Sequence, residues 1–417
     1  MDTDATGARR SQILEVAATM LADHGLRTSM REIADATGLL KGSLYHHFDS
    51  KDAILVELVG RYYAEMNLIG EEALHRLGRS NARTVVGDIE RLSTDIANCA
   101  VAHRAALQMT FYDSPSELPE LVELLKNPPE LINEAVLRTL TSARDFGAVR
   151  PEVDLIALAD RVFQTMVTVG LDVVRHKAAS ERVAGVLCRI ILNGLARRPP
   201  RYSTLDNSKA LAAASDAVRS WGDSASDTDD FTVEADRIFA AARTEFGRRG
   251  YEITTVREIA AAAGVSLGKL TRVAGSKPEM LAFIMRSFGS RLTAGYSGVL
   301  NADSSPIEKM DALSWVHINA VKHFPDEFKI QQAWMRQSPP DTPNPGFAFA
   351  NRMRRLKSLL SEGINSGAIR NEETSLEVLS RCVISVLWIP QSIVESMAAP
   401  DALTLARDTW LRGVRKR

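Results

Sequence analysis

The sequence predicts an all-α chain of two tandem units, each a helix-turn-helix head followed by a helical-bundle body. Three observations carry this. The chain repeats itself at a spacing of about half its length, its apolar residues recur at helical period, and no strand-type alternation bounded by hairpin turns competes. At 417 residues the chain exceeds one small core and fits two or three domains.

Composition narrows the class. Lys and Arg total 51 against 52 for Asp and Glu, a net charge of -1, so any nucleic-acid contact must come from a local surface and not from bulk charge. Hydrophobic residues at 45% and charged residues at 25% describe a globular chain and exclude a mainly disordered one. No apolar run reads as a membrane span, and Met1-Asp2-Thr3-Asp4 lacks the basic and apolar regions of a signal peptide, which predicts a cytoplasmic protein with no membrane partner. Cys99, Cys188 and Cys382 lie far apart without CxxC spacing; they read as reduced core thiols, not as a zinc site or disulfides.

The repeat fixes the organisation. Ile13, Ala17 and Gly25 recur as Ile238, Ala242 and Gly250, each 225 residues on. After one inserted residue, Thr28, Arg31-Glu32-Ile33-Ala34, Ala36, Gly38, Gly42, Leu44, Ser50-Lys51 and Leu55 recur 226 residues on as Thr254, Arg257-Glu258-Ile259-Ala260, Ala262, Gly264, Gly268, Leu270, Ser276-Lys277 and Leu281. Gly147-Ala148-Val149-Arg150 is echoed by Gly367-Ala368-Ile369-Arg370, so whole units are duplicated. The expected domains are a first head at 9–55, a first body at 56–200, a linker at 201–230, a second head at 231–282 and a second body at 283–417.

The elements follow in order. Ile13, Val16, Ala17, Met20 and Leu21 form one apolar stripe, and Gly25 stops that helix. Thr28-Ser29 supplies hydroxyls to cap a second helix whose inner face is Ile33, Ala34 and Thr37, and Gly38 makes the turn. A third helix, about Leu40 to His46, carries Lys41, Ser43, Tyr45 and His46 outward while Leu44 and Phe48 turn inward. Long amphipathic stretches follow near 52–77, 82–103, 130–146, 152–176 and 181–196. Arg197-Arg198-Pro199-Pro200-Arg201 ends the unit because paired prolines cannot continue a helix. A short helix from about Ser208 to Trp221 is expected to clamp the units, followed by a polar, acidic connector at 222–230. The second unit repeats the plan near 232–248, 279–300, 307–323, 346–366, 374–397 and 401–414. Loops at Asp113-Ser114-Pro115-Ser116-Glu117 and Ser338-Pro339-Pro340-Asp341-Thr342-Pro343 interrupt corresponding places.

Two short helices meeting at such a turn present the second to a major groove about one helix wide. Here Thr28 through Ile33-Ala34-Asp35-Ala36-Thr37-Gly38-Leu39-Leu40-Lys41-Gly42-Ser43-Leu44-Tyr45-His46-His47-Phe48, then Ser50-Lys51-Asp52 and Leu55, resemble the TetR family of transcriptional regulators. The second unit resembles it through Arg257-Glu258-Ile259-Ala260 and Gly264-Val265-Ser266-Leu267-Gly268-Lys269-Leu270, with Thr271 in place of the usual tyrosine and Ala274 in place of the core phenylalanine. The resemblance implies a DNA-binding head, a body that dimerises and binds an effector, and repression relieved by ligand. The expected DNA-binding residues are Thr28, Ser29, Lys41, Gly42, Ser43, Tyr45, His46 and Lys51, with Thr254, Thr255, Ser266, Lys269, Thr271, Arg272 and Lys277 in the second head. Residues 234–286 hold nine basic side chains against six acidic, and residues 9–60 six against seven, so the head with the poorer motif has the better field for phosphate.

Other residues read more plainly. His75, His103, His176, His317 and His323 lack HExxH or paired spacing and are expected to be ordinary core or surface histidines, so no metal site and no cofactor is predicted. Arg352, Arg354, Arg355 and Lys357 read as a solvated helix face, or else as a cluster for an anionic effector. Met109, Phe111, Tyr112, Phe163, Met166, Trp334 and Trp388 are core aromatics and thioethers that can line an apolar effector pocket, as Trp315 and Phe347 are core. No GxSxG, Walker loop or GxGxxG is present, so no enzyme is expected. The leading expectation is a TetR-like repressor whose fused units form a pseudo-dimer on an asymmetric double-stranded operator, with room for further self-association. Its lipid-like or acyl-thioester effector is implied by the likeness of Lys41 to Phe48 to repressors of fatty-acid and steroid breakdown. The alternative is a sensor or interaction protein in which only the first head binds DNA and the second unit is a scaffold.

Overall fold

The computed structural model describes residues 2–110, 118–176, 179–222, 230–336, 347–371 and 374–416. The fold is all-α, 78% helical. In the first unit α1 (Asp2–His24), α2 (Met30–Thr37) and α3 (Lys41–Tyr45) make the head. Its body is α4 (Lys51–Leu77), α5 (Val85–Ala102), α6 (Arg104–Met109), α7 (Pro119–Lys126), α8 (Glu130–Asp145), α9 (Leu155–His176) and α10 (Ser180–Asn193). The connector carries α11 (Tyr202–Asp206) and α12 (Lys209–Ser220). The second head is α13 (Asp230–Arg249), α14 (Val256–Ala262) and α15 (Leu267–Ala274). Its body is α16 (Lys277–Asn301), α17 (Pro306–His323), α18 (Pro325–Arg336), α19 (Phe347–Asn365), α20 (Leu376–Leu387), α21 (Gln391–Ser396) and α22 (Ala399–Ala406), which runs into a π-helical turn at Arg407–Leu411. The loops expected at 113–117 and 338–343 lie outside the described residues.

Helix starts follow their capping chemistry. Ser29, Thr255, Ser276 and Ser305 each cap a helix reciprocally with the glutamate three residues on, so two orphan backbone donors are satisfied at each start. Ser29→Ala should therefore cost the first head about 1 kcal/mol, read from its urea midpoint.

Two expectations change. The helix at Ser208–Trp221 does not clamp the units: α12 packs on α16 and α17 and belongs to the second body. The single helix expected at 374–397 is broken into α20 and α21, because Pro390 has no N–H for the Val386 carbonyl; Arg161 from α9 donates to that carbonyl at 2.5 Å. By length and composition Leu376–Ser396 is apolar enough to cross a membrane, contrary to the sequence reading, yet 61% of its apolar window is buried in the body.

The two bodies meet through a reciprocal exchange of their C-terminal segments. After α10, Leu195 and Ala196 N–H groups donate to Trp410 and Leu411 carbonyls; after the π-turn, Val414 and Arg415 N–H groups donate to Ile191 and Leu192 carbonyls. Each segment then pairs with the other unit's Gly-Ala-x-Arg loop, in bridges Val149 with Arg415 and Ala196 with Ile369. These contacts interchange when the two units are exchanged, and Gly194 and Gly413 each lie against the other's segment. Their φ values are +75° and +79°, and a Cβ on either would lie 2.2 or 2.3 Å from the other segment's backbone. No side chain fits there.

Candidate nucleic-acid interface and effector cavity

In the first head the recognition helix α3 is held from below. Leu44 and Phe48 are buried, and Arg10 of α1 lies 4.0 Å from the Phe48 ring, pairs with Glu57 at 2.5 Å and donates to the His47 carbonyl. This leaves Lys41, Gly42, Tyr45 and His46 exposed and Ser43 half-buried, with Lys41 Nζ 5.7 Å from the Tyr45 ring. Leu40, the N-cap of α3, is 81% exposed and is not among the expected DNA-binding residues. A solvent-facing leucine at a recognition-helix start is the signal that could have found it.

Thr28 is a correction. It is buried, and its hydroxyl donates to the Gly25 carbonyl at 3.0 Å, closing the end of α1, so only Ser29 of that pair caps α2 and faces outward. Thr254 is likewise buried and donates to the Gly250 carbonyl at 2.7 Å, while exposed Thr255 is the cap. The paired lysines also take a role not foreseen. Half-buried Lys51 donates to the Leu26 carbonyl at 2.6 Å, and Lys277 to the Glu252 carbonyl at 3.2 Å, each tying the following long helix to the turn before α2 or α14. Burial lowers the Lys51 pKa from its ordinary value.

In the second head α15 is eight residues long against five for α3. Ala274 is buried where Phe48 stands in the first head, and Phe246 and Tyr251 pack edge to face at 5.2 Å in this smaller core. Ser266, Thr271 and Arg272 are exposed, and Lys269 pairs with Glu234 of α13 at 2.5 Å. Arg237, Arg243, Arg248 and Arg249 are also ion-paired, which places the head's surplus charge at exposed Arg257 and Arg272 and at Arg286 on the long helix.

A cavity of about 1010 Å³ lies between the two bodies. Tyr62, Tyr63, Met66, Phe163, Gln164, Thr165 and Thr168 line it from the first unit, and Phe328, Lys329, Gln331, Met353, Arg354, Lys357, Arg381, Ile384 and Trp388 from the second. Of the expected pocket residues, Phe163 and Trp388 are present, and Trp388 stacks on Phe328 at 4.6 Å. Met109 is instead buried in the first body's core, and Met166 lines a separate 10 Å³ void beside Cys188. Phe111, Tyr112 and the Trp334 side chain lie outside the described residues. The basic cluster divides. Arg352 is buried against the Gly289 carbonyl and Arg355 bonds Ser297 and Asn301, whereas Arg354 and Lys357 face the cavity. Beneath Trp388, burial holds His317 down to about 3, so this ring is neutral.

Residues 13–58 and 238–283 each match the sequence profile of "Bacterial regulatory proteins, tetR family". The HTH-type transcriptional repressor KstR2 of Rhodococcus jostii is 52% identical over 59 residues, 14% of this chain and 29% of that protein, so the match spans under a third of the relative. Its Mycolicibacterium smegmatis namesake is 28% identical over 157 residues, 37% of this chain and 76% of that protein. Among solved structures, the ketosteroid transcriptional regulator KstR2 of Mycobacterium tuberculosis superposes with a TM-score of 0.36 at 23% identity, covering 42% of this chain and 89% of that one. Two heads that match the TetR-family model, each followed by a helical body, make this chain a tandem of two units with TetR-type heads.

Proposed function

We propose that this chain is a transcriptional repressor whose fused units act as a pseudo-dimer on an asymmetric operator and let go when a small-molecule effector fills the cavity between them. The observation that carries this reading is the reciprocal exchange around Gly194 and Gly413, in which the bodies meet as two copies of one unit would. One chain then presents two heads, and covalent linkage replaces a bimolecular step by a high effective concentration. Light scattering of the smallest DNA complex should give one chain per operator; a strict requirement for two chains overturns the pseudo-dimer.

The two recognition helices offer different groups, so the operator should hold two dissimilar half-sites about one helical turn apart, and a perfect inverted repeat in a footprint counts against this. Exposed Leu40 suits a thymine methyl and Lys41 a guanine edge. Lys41→Ala should relax preference at one or two base pairs, at a cost of about 1–3 kcal/mol. Lys51, positioned by the Leu26 carbonyl, keeps two further N–H donors for a phosphate, and Lys51→Ala should lower the salt slope of log K by about 0.9 on every sequence. Titrations at several salt concentrations on operator and scrambled duplexes separate these outcomes. Arg257→Ala with Arg272→Ala should abolish protection of one half-site only; unchanged affinity and footprint favour the reading in which the second head is a scaffold.

The cavity supports the class of effector. Aromatic and apolar side chains of both units line it, and the second unit adds Lys329, Arg354 and Arg381, with Lys357 paired to Glu377 and Glu395 also on the wall, a lining suited to an apolar skeleton carrying an anionic group, as in an acyl thioester. Native mass spectrometry of the purified chain should reveal one such ligand, and adding it should release DNA.

A further inference from the structure

Among the described residues, Glu65, Cys99 and His103 form a group whose carboxylate, thiol and imidazole atoms all lie within 4.8 Å of one another. Cys99 and His103 are four apart, hence on one face of α5 and its C-cap, and Glu65 reaches them from α4. His103 Nε2 and Glu65 Oε2 are 2.7 Å apart at the surface, with Cys99 buried beneath. The donors of a tetrahedral zinc site are separated by about 3.4–3.6 Å, given the usual Zn–S, Zn–N and Zn–O lengths. Opening the Glu65–His103 contact by a side-chain rotation therefore makes room for a cation.

The second unit supplies the internal comparison. Ser50-Lys51 starts α4 as Ser276-Lys277 starts α16, which sets Glu65 against Arg291. His103 and Phe324 each end one helix and immediately precede the next, which sets His103 against Phe324 and Cys99 against Ala320. The Arg291 guanidinium lies 5.0 Å over the Phe324 ring. Where the second unit keeps a fixed positive charge, the first unit has three donors suited to an exchangeable one.

We propose that Glu65, Cys99 and His103 form a regulatory site for one divalent cation of the zinc class, present in the first unit alone. Thiolate with imidazole and carboxylate favours zinc over magnesium or calcium, which take oxygen ligands. On loading, the thiol releases its proton to solvent and any proton on His103 follows, leaving a three-ligand site with an open fourth position. The site is placed to matter. It ties α4, which follows the recognition helix after a five-residue turn, to the junction of α5 and α6; the next residue, Arg104, pairs with Asp23 of α1 at 2.6 Å, and Gln108 donates to the Ala22 carbonyl. Tyr62, 5.8 Å from the His103 ring, separates the site from the effector cavity that it lines. The cation thus stiffens the connection between cavity and first head. Binding of the cation needs only these three side chains, whereas its regulatory effect rests on the proposed repressor function.

The test uses the chelator-treated, reduced full-length chain and Co²⁺ or Zn²⁺ alone. One equivalent of Co²⁺ should produce thiolate-to-cobalt charge-transfer absorption in the near ultraviolet, and Zn²⁺ should bleach it. Cys99→Ser, which keeps Cys188 and Cys382, should lose that absorption. Glu65→Gln and His103→Gln, changes at more exposed positions, should keep the native circular dichroism and weaken binding by about tenfold or more. Zn²⁺ should raise the thermal midpoint of the wild type and not of these two variants. No charge-transfer band at one equivalent, or affinity unchanged in well-folded Glu65→Gln and His103→Gln, overturns the site and leaves an ordinary carboxylate–histidine pair.

Discussion

Gly413→Ala should unlock the two bodies and lower the unfolding free energy by about 4 kcal/mol, from enforced positive φ together with overpacking against the opposite segment. The added Cβ would stand 2.3 Å from the Asn193 carbonyl carbon, and backbone on both sides of the contact leaves nothing flexible to move away. Gly194→Ala meets Arg412 in the same way and should behave alike. Gly367→Ala is the control: its φ is also positive, at +73°, but its Cβ has nothing within 4 Å, so the cost should be only the left-handed conformation, about 1–2 kcal/mol. Urea unfolding decides. Equal losses at Gly367 and Gly413 would mean that conformation alone, and no interlock between the bodies, accounts for the effect.

The contrast between these glycines also marks how far the sequence could be read. The heads were legible because their determinants are local: a cap, the inner face Ile33, Ala34 and Thr37 and a turn glycine fall within about twenty residues, and the duplication states them twice. Most body helices were legible for the same reason of period, but the short α6, α7 and α18 were not expected and the helix expected at 374–397 is broken at Pro390. What joins the bodies was not legible, although an echo was there: Leu192-Asn193-Gly194 recurs as Leu411-Arg412-Gly413, and its meaning depends on two segments 219 residues apart coming together. The cavity escaped for a related reason. Tyr62 and Tyr63 sit on a helix whose periodicity marks them as core, and only the approach of α18, α19 and α20 from the other unit turns that core face into a wall. Thr28 and Lys51 illustrate a third limit. A hydroxyl or ammonium beside a recognition helix can face DNA or close a nearby backbone carbonyl, and composition does not distinguish these; burial and a bond to Gly25 or Leu26 do. His103 was judged by His–His spacing, which passes over Cys99 four residues before it.

Two buried arginines should respond in opposite directions to the same substitution, because one has a counter-charge and the other has none among the described residues. Arg407 grips Asp311 through two bonds of 2.8 Å and reaches Asp206 on the connector at 2.7 Å, with Asp311 only 1% exposed. Arg407→Met strands that carboxylate in the second body's core, at a cost of about 3–5 kcal/mol. Arg161 is also buried, and among the described residues its one bond goes to the Val386 carbonyl that Pro390 leaves open, while its Nε and Nη1 have no hydrogen-bond partner there. Burial pushes its guanidinium down to about 9, so it stays charged at neutral pH and the full desolvation penalty acts there. Because the folded-state value lies below the unfolded one, that penalty is complete below about 9 and fades only as pH rises above it. Arg161→Met loses a hydrogen bond from a charged donor, about 1.5–3 kcal/mol, but removes a buried charge whose effective penalty is several kcal/mol. The net expectation is a gain of about 1 kcal/mol, seen as a raised urea midpoint at neutral pH, against a large loss for Arg407→Met. If Arg161→Met destabilises the chain as severely as Arg407→Met, then satisfying the Val386 carbonyl outweighs the burial of the charge, and the break between α20 and α21 depends on Arg161.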